Sequence, residues 1–139
     1  MKFEIVDLNK EQIETLDSKL EEYDMKHIKY KLSGNINIGI IKGDSLIAGV
    51  NGCMTAYKIF YISTVFVDES YRNQGFGRKL MESIELKAVS LGANMIRLDT
   101  FDWQGSEFYK KLGYEQVGSY NNKIDGFSEY FFLKKLFSE

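Results

Sequence analysis

The stretch from Tyr57 to Leu91 constrains the fold more than any other part of the chain. Tyr57 to Val67 is a run of mostly β-branched and aromatic residues, long enough for a buried strand. Asp68 to Asn73 is polar, and Gly75-Phe76-Gly77 follows. Phe76, Leu80, Ile84 and Ala88 then recur every four residues, which is one face of an amphipathic helix, and Leu91-Gly92 ends it. A strand that passes through a glycine turn into a helix must return the helix's apolar stripe to a sheet. That commits the chain to a layered α/β or α+β arrangement.

The rest of the chain fits around this unit. Phe3, Ile5 and Val6 predict a short first strand. Asn9 caps a helix with Gln12 at its third position, a capping-box variant, and Ile13, Leu16, Leu20 and Tyr23 follow at helical spacing. Ile36, Ile38 and Ile40 alternate with Asn37 and Gly39. A turn at Lys42 to Ser45 leads to a second strand through Leu46, Ile47 and Val50, so the pair reads as a hairpin. Gly49 and Gly52 mark a bulge or a close approach. Met95 to Phe101 alternates as a strand, and Gln104 to Leu112 is a short helix closed by Gly113. Tyr114 to Tyr120 and Phe127 to Leu133 are the last two strands. The predicted order is β α β β β α β α β β in one continuous domain, residues 1–139. There is no proline, so Gly, Asn, Asp and Ser must make every sharp turn.

Composition excludes several function classes. A chain of 139 residues can bury a full core without staples, and one Cys and one His cannot build a disulfide framework or a His/Cys zinc site. The N-terminus has no apolar signal-peptide core, and no run of 18 apolar residues occurs, so the expectation is a protein of the reducing cytoplasm with no membrane span. A net charge of -2 and a pI near 5.5 argue against bulk nucleic-acid binding.

The first turn of a helix carries unpaired N–H groups and the positive end of the dipole. Gly75 and Gly77 remove Cβ atoms there, and Arg72 and Arg78 flank the turn, which together make an anion site suited to a phosphate or diphosphate. No Walker loop is present, and Leu80 stands where a dinucleotide fingerprint needs Gly or Ala. A glycine-rich helix start with no ligand is the plain alternative.

Arg72-Asn73-Gln74-Gly75-Phe76-Gly77 resembles the Arg/Gln-x-x-Gly-x-Gly/Ala signature of the GNAT N-acetyltransferase superfamily. Phe108-Tyr109-Lys110-Lys111-Leu112-Gly113-Tyr114 is similar to that family's Phe-Tyr-x-x-x-Gly-Phe. The resemblance is close from about Tyr57 to Tyr120. It implies a mixed, mostly antiparallel sheet of six or seven strands flanked by helices on both faces, and acetyl-coenzyme A as acetyl donor. It implies that Arg72, Asn73, Gln74, Gly75, Phe76, Gly77 and Arg78 hold the diphosphate. It also implies that the pantetheine arm lies along Val65, Phe66 and Val67, with Gln104, Ser106, Phe108 and Tyr109 beside it. A backbone N–H near Val65 would polarise the thioester carbonyl, and the amine would attack directly through a tetrahedral state. Tyr109 falls on the family's general-acid position; a core aromatic is the alternative.

Three departures accompany the resemblance. Ser63 and Thr64 stand where many relatives carry Asp or Glu, so a water relay, a carboxylate such as Asp102, or an amine arriving neutral must handle the proton. Asp102 and Gly105 replace Asn and Ala, and Tyr114 replaces Phe. Cys53 reads as a buried thiol, His27 as a packing or surface residue on the first helix, and Trp103 as a pocket wall or core residue. Tyr130, Phe131, Phe132, Leu133, Leu136 and Phe137 read as core packing or a dimer contact. The implied function is acetyl transfer to a primary amine, the acceptor being a small molecule. A coenzyme-A-binding sensor or interaction domain, and an acetyltransferase acting on an aminoacyl-tRNA or a protein, stand as alternatives.

Overall fold

A computed structural model describes residues 1–29 and 31–137, and the chain divides into two compact units, Met1–Lys31 and Leu32–Glu139. In the first unit, residues 1–9 form no strand, so the strand expected at Phe3 to Val6 is absent. Three alternating apolar residues are a pattern only; ladder hydrogen bonds make a strand, and none form here. Helix α1 runs Lys10–Asp24. Its capping box is complete: Gln12 N donates to Asn9 Oδ1 at 2.8 Å, and Asn9 N donates to Gln12 Oε1 at 3.0 Å. His27 lies in the turn beyond the helix end, its ring 5.0 Å from that of Tyr23.

The second unit holds a six-stranded sheet. Its strands are β1 (Asn35–Lys42), β2 (Ser45–Met54), β3 (Ile59–Val67), β4 (Met95–Phe101), β5 (Glu115–Asn122) and β6 (Phe127–Lys135). Helix α2 (Phe76–Ser90) joins β3 to β4, and α3 (Ser106–Lys111) joins β4 to β5. The strand order is β1-β2-β3-β4-β6-β5, and among the described residues only β3 and β4 pair in parallel. Period-two alternation sends Ile36, Val50, Phe60, Ile62, Ile96, Leu98 and Phe132 to one face, where Leu80, Met81, Ile84 and Ala88 of α2 meet them. Tyr109 and Leu112 extend the same core from α3. Both helices of this unit therefore lie on one face of the sheet.

A polar tie crosses the core's edge. Tyr114 Oη donates to Glu85 Oε2 at 2.9 Å, and Lys134 Nζ bonds Glu85 Oε1 at 2.9 Å and the Leu112 carbonyl at 2.8 Å. These bonds join α2, the end of α3 and β6. Burial, then the Glu85 charge, push the Tyr114 phenol well above its ordinary value. Of the C-terminal aromatics, Phe132 is core and Tyr130 packs against it, while Phe131 and Phe137 are exposed. Cys53 is half-buried on β2 rather than buried. Among the described residues no helix is long and apolar enough to cross a membrane.

Candidate functional site

The site begins where the sheet parts. β3 and β4 pair only at Ile59↔Met95, Phe60↔Ile96 and Tyr61↔Arg97. Past Tyr61 a bulge shifts the β2–β3 register, so that Gly52 faces Ile62 and Asn51 faces Thr64, leaving Ser63 as the extra residue. The Ser63 hydroxyl donates to Asn51 Oδ1 at 2.6 Å. A Cβ on Gly52 would strike the Tyr61 carbonyl oxygen and the Phe60 ring, so only glycine allows this crossing. Beyond the bulge, β3 leaves β4 and a notch opens.

The direction of the β3 backbone follows from one bond. Asp68 N donates to the Ile47 carbonyl at 2.8 Å. In an antiparallel ladder the bonded positions alternate, so residues 64, 66 and 68 bond towards β2. Val65 and Val67 therefore turn their N–H and C=O groups into the notch while their side chains pack on the core. The Phe66 ring is exposed on the other face, with the Arg72 guanidinium 5.4 Å from its centre. Arg72 is not free: its Nε donates to the Val67 carbonyl at 2.8 Å. It braces the loop against the strand end and leaves its terminal nitrogens outward.

Asn73 and Gly75 take left-handed backbones, with φ of 63° and 84°. Gly75 caps α2, and nothing lies within 4 Å of where its Cβ would be. No side chain caps this helix, so the N–H groups of Phe76, Gly77 and Arg78 face outward unpaired by any cap. Gly77 serves a different end. Its Cβ would sit 3.0 Å from Phe108 Cζ and 3.8 Å from Val67 Cγ2. The missing side chain lets α2 start against α3 and the end of β3, and so brings both sequence motifs to one place. Gln74 Nε2 donates to the Ser70 carbonyl at 3.3 Å, and Arg78 forms a long, exposed ion pair with Glu82.

On the α3 side, Gln104 is committed locally: its Oε1 accepts from Phe101 N at 2.7 Å and from Thr100 Oγ1 at 3.4 Å. This finishes β4 and leaves only its amide nitrogen for a ligand. Ser106 opens α3 half-buried. Phe108 is half-buried, and Tyr109 is 8% exposed, with its ring against Phe108, Tyr114 and Phe132. Burial pushes the Tyr109 phenol up to about 12. No hydrogen bond of its hydroxyl occurs among the described residues. No buried side-chain N or O atom among them lacks a partner, so the Tyr109 oxygen reaches solvent.

Asp102 has one carboxylate oxygen committed to the main chain. Its Oδ2 accepts from Ser128 N at 3.1 Å, and its own N donates to the Ser128 carbonyl, which ties the end of β4 to β6. Trp103 is exposed and stacked on Phe101, so it is no core residue. One pair at the notch escaped the sequence reading. Tyr61 Oη donates to Asp99 Oδ2 at 3.1 Å, with the Arg97 guanidinium 4.4 Å above the Tyr61 ring. Burial and then the Asp99 charge raise the Tyr61 phenol. These residues are 38 positions apart, and the only local signal was the outward place of Asp99 in the alternation of β4. A separate groove of about 430 Å³ lies over β1, β2 and β3, lined by Gly39, Leu46, Gly49, Thr64 and Phe66 among others.

Uncapped N–H groups beside an open Gly75, and main chain turned into the notch at Val65 and Val67, fit a ligand with a diphosphate and an amide-bearing arm. The family model of the acetyltransferase (GNAT) domain matches residues 35–116. The crystal structure of an acetyltransferase from Bacillus cereus is similar throughout, with 30% identity, a TM-score of 0.89, and 96% of this chain and 98% of that chain covered. An aminoglycoside 6'-N-acetyltransferase complexed with coenzyme A shares the fold at 21% identity and a TM-score of 0.65, over 88% of this chain and 82% of that one. The L-ornithine N5-acetyltransferase of Arabidopsis thaliana is 36% identical over 56 residues, 39% of this chain and 25% of that protein. The chain spans between 25% and 62% of the length of four curated relatives that it matches. Motif, notch and match over more than half of its length agree: the chain belongs to the GNAT acetyltransferase family.

Proposed function

We propose that residues 1–139 act as one N-acetyltransferase domain of the reducing cytoplasm, which carries an acetyl group from acetyl-coenzyme A to a small primary amine by direct attack. The observation that carries the reading is the notch itself: Val65, and the N–H of Val67, turn main-chain groups that no strand pairs into it beside the uncapped start of α2. The name of the ornithine-acetylating relative supports a small amine as acceptor.

Acetyl-coenzyme A supplies an acetyl group activated as a thioester. The N–H groups at Gly75, Phe76, Gly77 and Arg78 hold its diphosphate, with the outward nitrogens of Arg72 adding charge, as Asn73 and Gln74 shape the loop. Val65 and Val67 hold the arm by main-chain hydrogen bonds, as an added strand would be held. The Val65 N–H is the fixed donor to the carbonyl oxygen on which charge develops. Phe108 and Ser106 line the far side. Tyr109 donates a hydrogen bond where the thiolate forms. With its phenol at about 12 it stays protonated through the physiological range.

The test is a thiol-release assay over polyamines, amino acids, aminoglycosides and peptide N-termini, run beside calorimetric titration with acetyl-coenzyme A. Amine-dependent thiol release is the expected outcome. Tight cofactor binding with no release from any amine would favour the sensor reading instead.

A further inference from the structure

We propose that the open face at the mouth of the notch seats an acceptor amine that carries a second cationic group, with Asp99 at the reacting nitrogen and Glu129 at the far end. The inference rests on the N-acetyltransferase reading above. The chemistry needs a group to take the proton that nitrogen sheds as the carbon–nitrogen bond forms. Ser63 is engaged with Asn51, and Asp102 lies beyond the end of β4, tied to Ser128 of β6 by one carboxylate oxygen and its own N–H. Asp99 is differently placed. Tyr61↔Arg97 is the last β3–β4 pair, and Asp99 is the next β4 side chain on that face, where the strands have already separated. Its Oδ2 is held by Tyr61, and its Oδ1 makes no hydrogen bond among the described residues. One oxygen is oriented and the other is open at the notch.

The surroundings of Asp99 then decide what kind of amine fits. Glu129 lies opposite Phe101, and Asp99 lies opposite Phe131, so the two residues are diagonal neighbours on one face, at the backbone spacing of about 7–8 Å usual for such pairs. Tyr120 lies opposite Glu129 on the other side, and that neighbouring carboxylate raises its phenol. Aromatic rings border Glu129 with no core to fill. Phe101 and Trp103 stack at 4.6 Å with their planes 4° apart, and Phe127 meets Phe101 edge-on at 5.6 Å. Trp103 remains 67% exposed. Exposed ring faces beside a carboxylate suit an organic cation. Arg97 stands at the closed end of the notch, over Tyr61, and repels a cation there. The second charge is thereby directed away from Arg97 and towards Glu129.

In the reaction the neutral nitrogen forms its bond to the acetyl carbon as the carbon–sulfur bond breaks. Its proton passes to Asp99 Oδ1 and on to water, and the sulfur takes a proton from solvent beside Tyr109.

The test compares 1,4-diaminobutane with 1-aminobutane in thiol release, and measures by calorimetry the binding of each to protein saturated with coenzyme A. Wild type should prefer the diamine in kcat/KM and in affinity by about tenfold or more, the scale of one hydrogen bond to a charged group. Glu129→Gln should bring that ratio towards one. Asp99→Asn should lower kcat for both amines by about a hundredfold, while its coenzyme A affinity matches wild type. An active wild type with no diamine preference, or a ratio untouched by Glu129→Gln, overturns the distal seat. Undiminished kcat in Asp99→Asn overturns the proximal one. Absence of thiol release with any amine would instead strike the N-acetyltransferase reading.

Discussion

Replacing Tyr109 by Phe isolates one hydroxyl. Its ring is buried against Phe108, Tyr114 and Phe132, and those contacts survive the change. The hydroxyl has no protein partner among the described residues, so its removal leaves no orphaned polar group behind, and folding stability should hold. The catalytic loss can be sized. With the phenol at about 12, full proton transfer to a thiolate whose acid lies near 8.5 runs uphill by about 3.5 pH units, or about 4.8 kcal/mol. Tyr109 therefore acts as a hydrogen-bond donor to the departing sulfur, and solvent completes the protonation. A hydrogen bond to a charged group is worth about 1.5–3 kcal/mol, which lowers kcat about 10- to 150-fold when it is lost. Steady-state thiol release, with calorimetric affinity for acetyl-coenzyme A and a melting curve on the same sample, reads all three quantities. The expected result is a kcat drop in that range, an affinity within about twofold, and a melting temperature within roughly 2 °C of wild type. An unchanged kcat would remove Tyr109 from the chemistry. A large fall in melting temperature alongside the lost activity would make its role structural.

Stability should decline at alkaline pH, because Tyr109 and Tyr114 both have phenols raised in the fold. Their contribution is complete below the unfolded value near 10 and is lost as pH rises, about 2.7 kcal/mol of it from Tyr109 between pH 10 and about 12, and urea titrations of wild type and Tyr109→Phe will show a shallower decline in the variant if this is right. Gly75→Ala should cost about 1 kcal/mol of stability from left-handed backbone strain alone, since the space is open, and should weaken acetyl-coenzyme A binding in calorimetry. Glu85→Ala should destabilise by about 1–3 kcal/mol in urea unfolding, because it strips Tyr114 and Lys134 of a shared, half-buried partner.

The second unit was legible from local pattern. Alternation placed β4 at Met95 to Phe101, and the four-residue stripe placed α2 with Gly75 at its cap. The miss at Phe3 to Val6 has a plain cause: a strand exists only through a partner, and a partner is not a local property. The Gly-rich turn and the Phe108-Tyr109 motif named the parts of the site, but the reason for Gly77 was hidden, since it answers to a ring 31 positions away. Arg72 and Gln104 likewise bond to their own chain in ways that residue type cannot reveal. Asp99 was overlooked because its partner, Tyr61, becomes a neighbour only across the strands that part beside it.

The three-residue contact between β3 and β4 has a mechanical meaning. The sheet consists of two antiparallel leaves, β1–β2–β3 and β4–β6–β5, hinged along one short seam. Helix α2 lies over the first leaf and reaches the second through Glu85 and Lys134, so it is the splint across that hinge. A ligand laid into the gap completes the ladder the chain leaves unfinished. Binding then adds rigidity as well as chemistry: the leaves lock, the Val65 and Val67 amides gain partners, and hydrogen exchange should slow first along the seam.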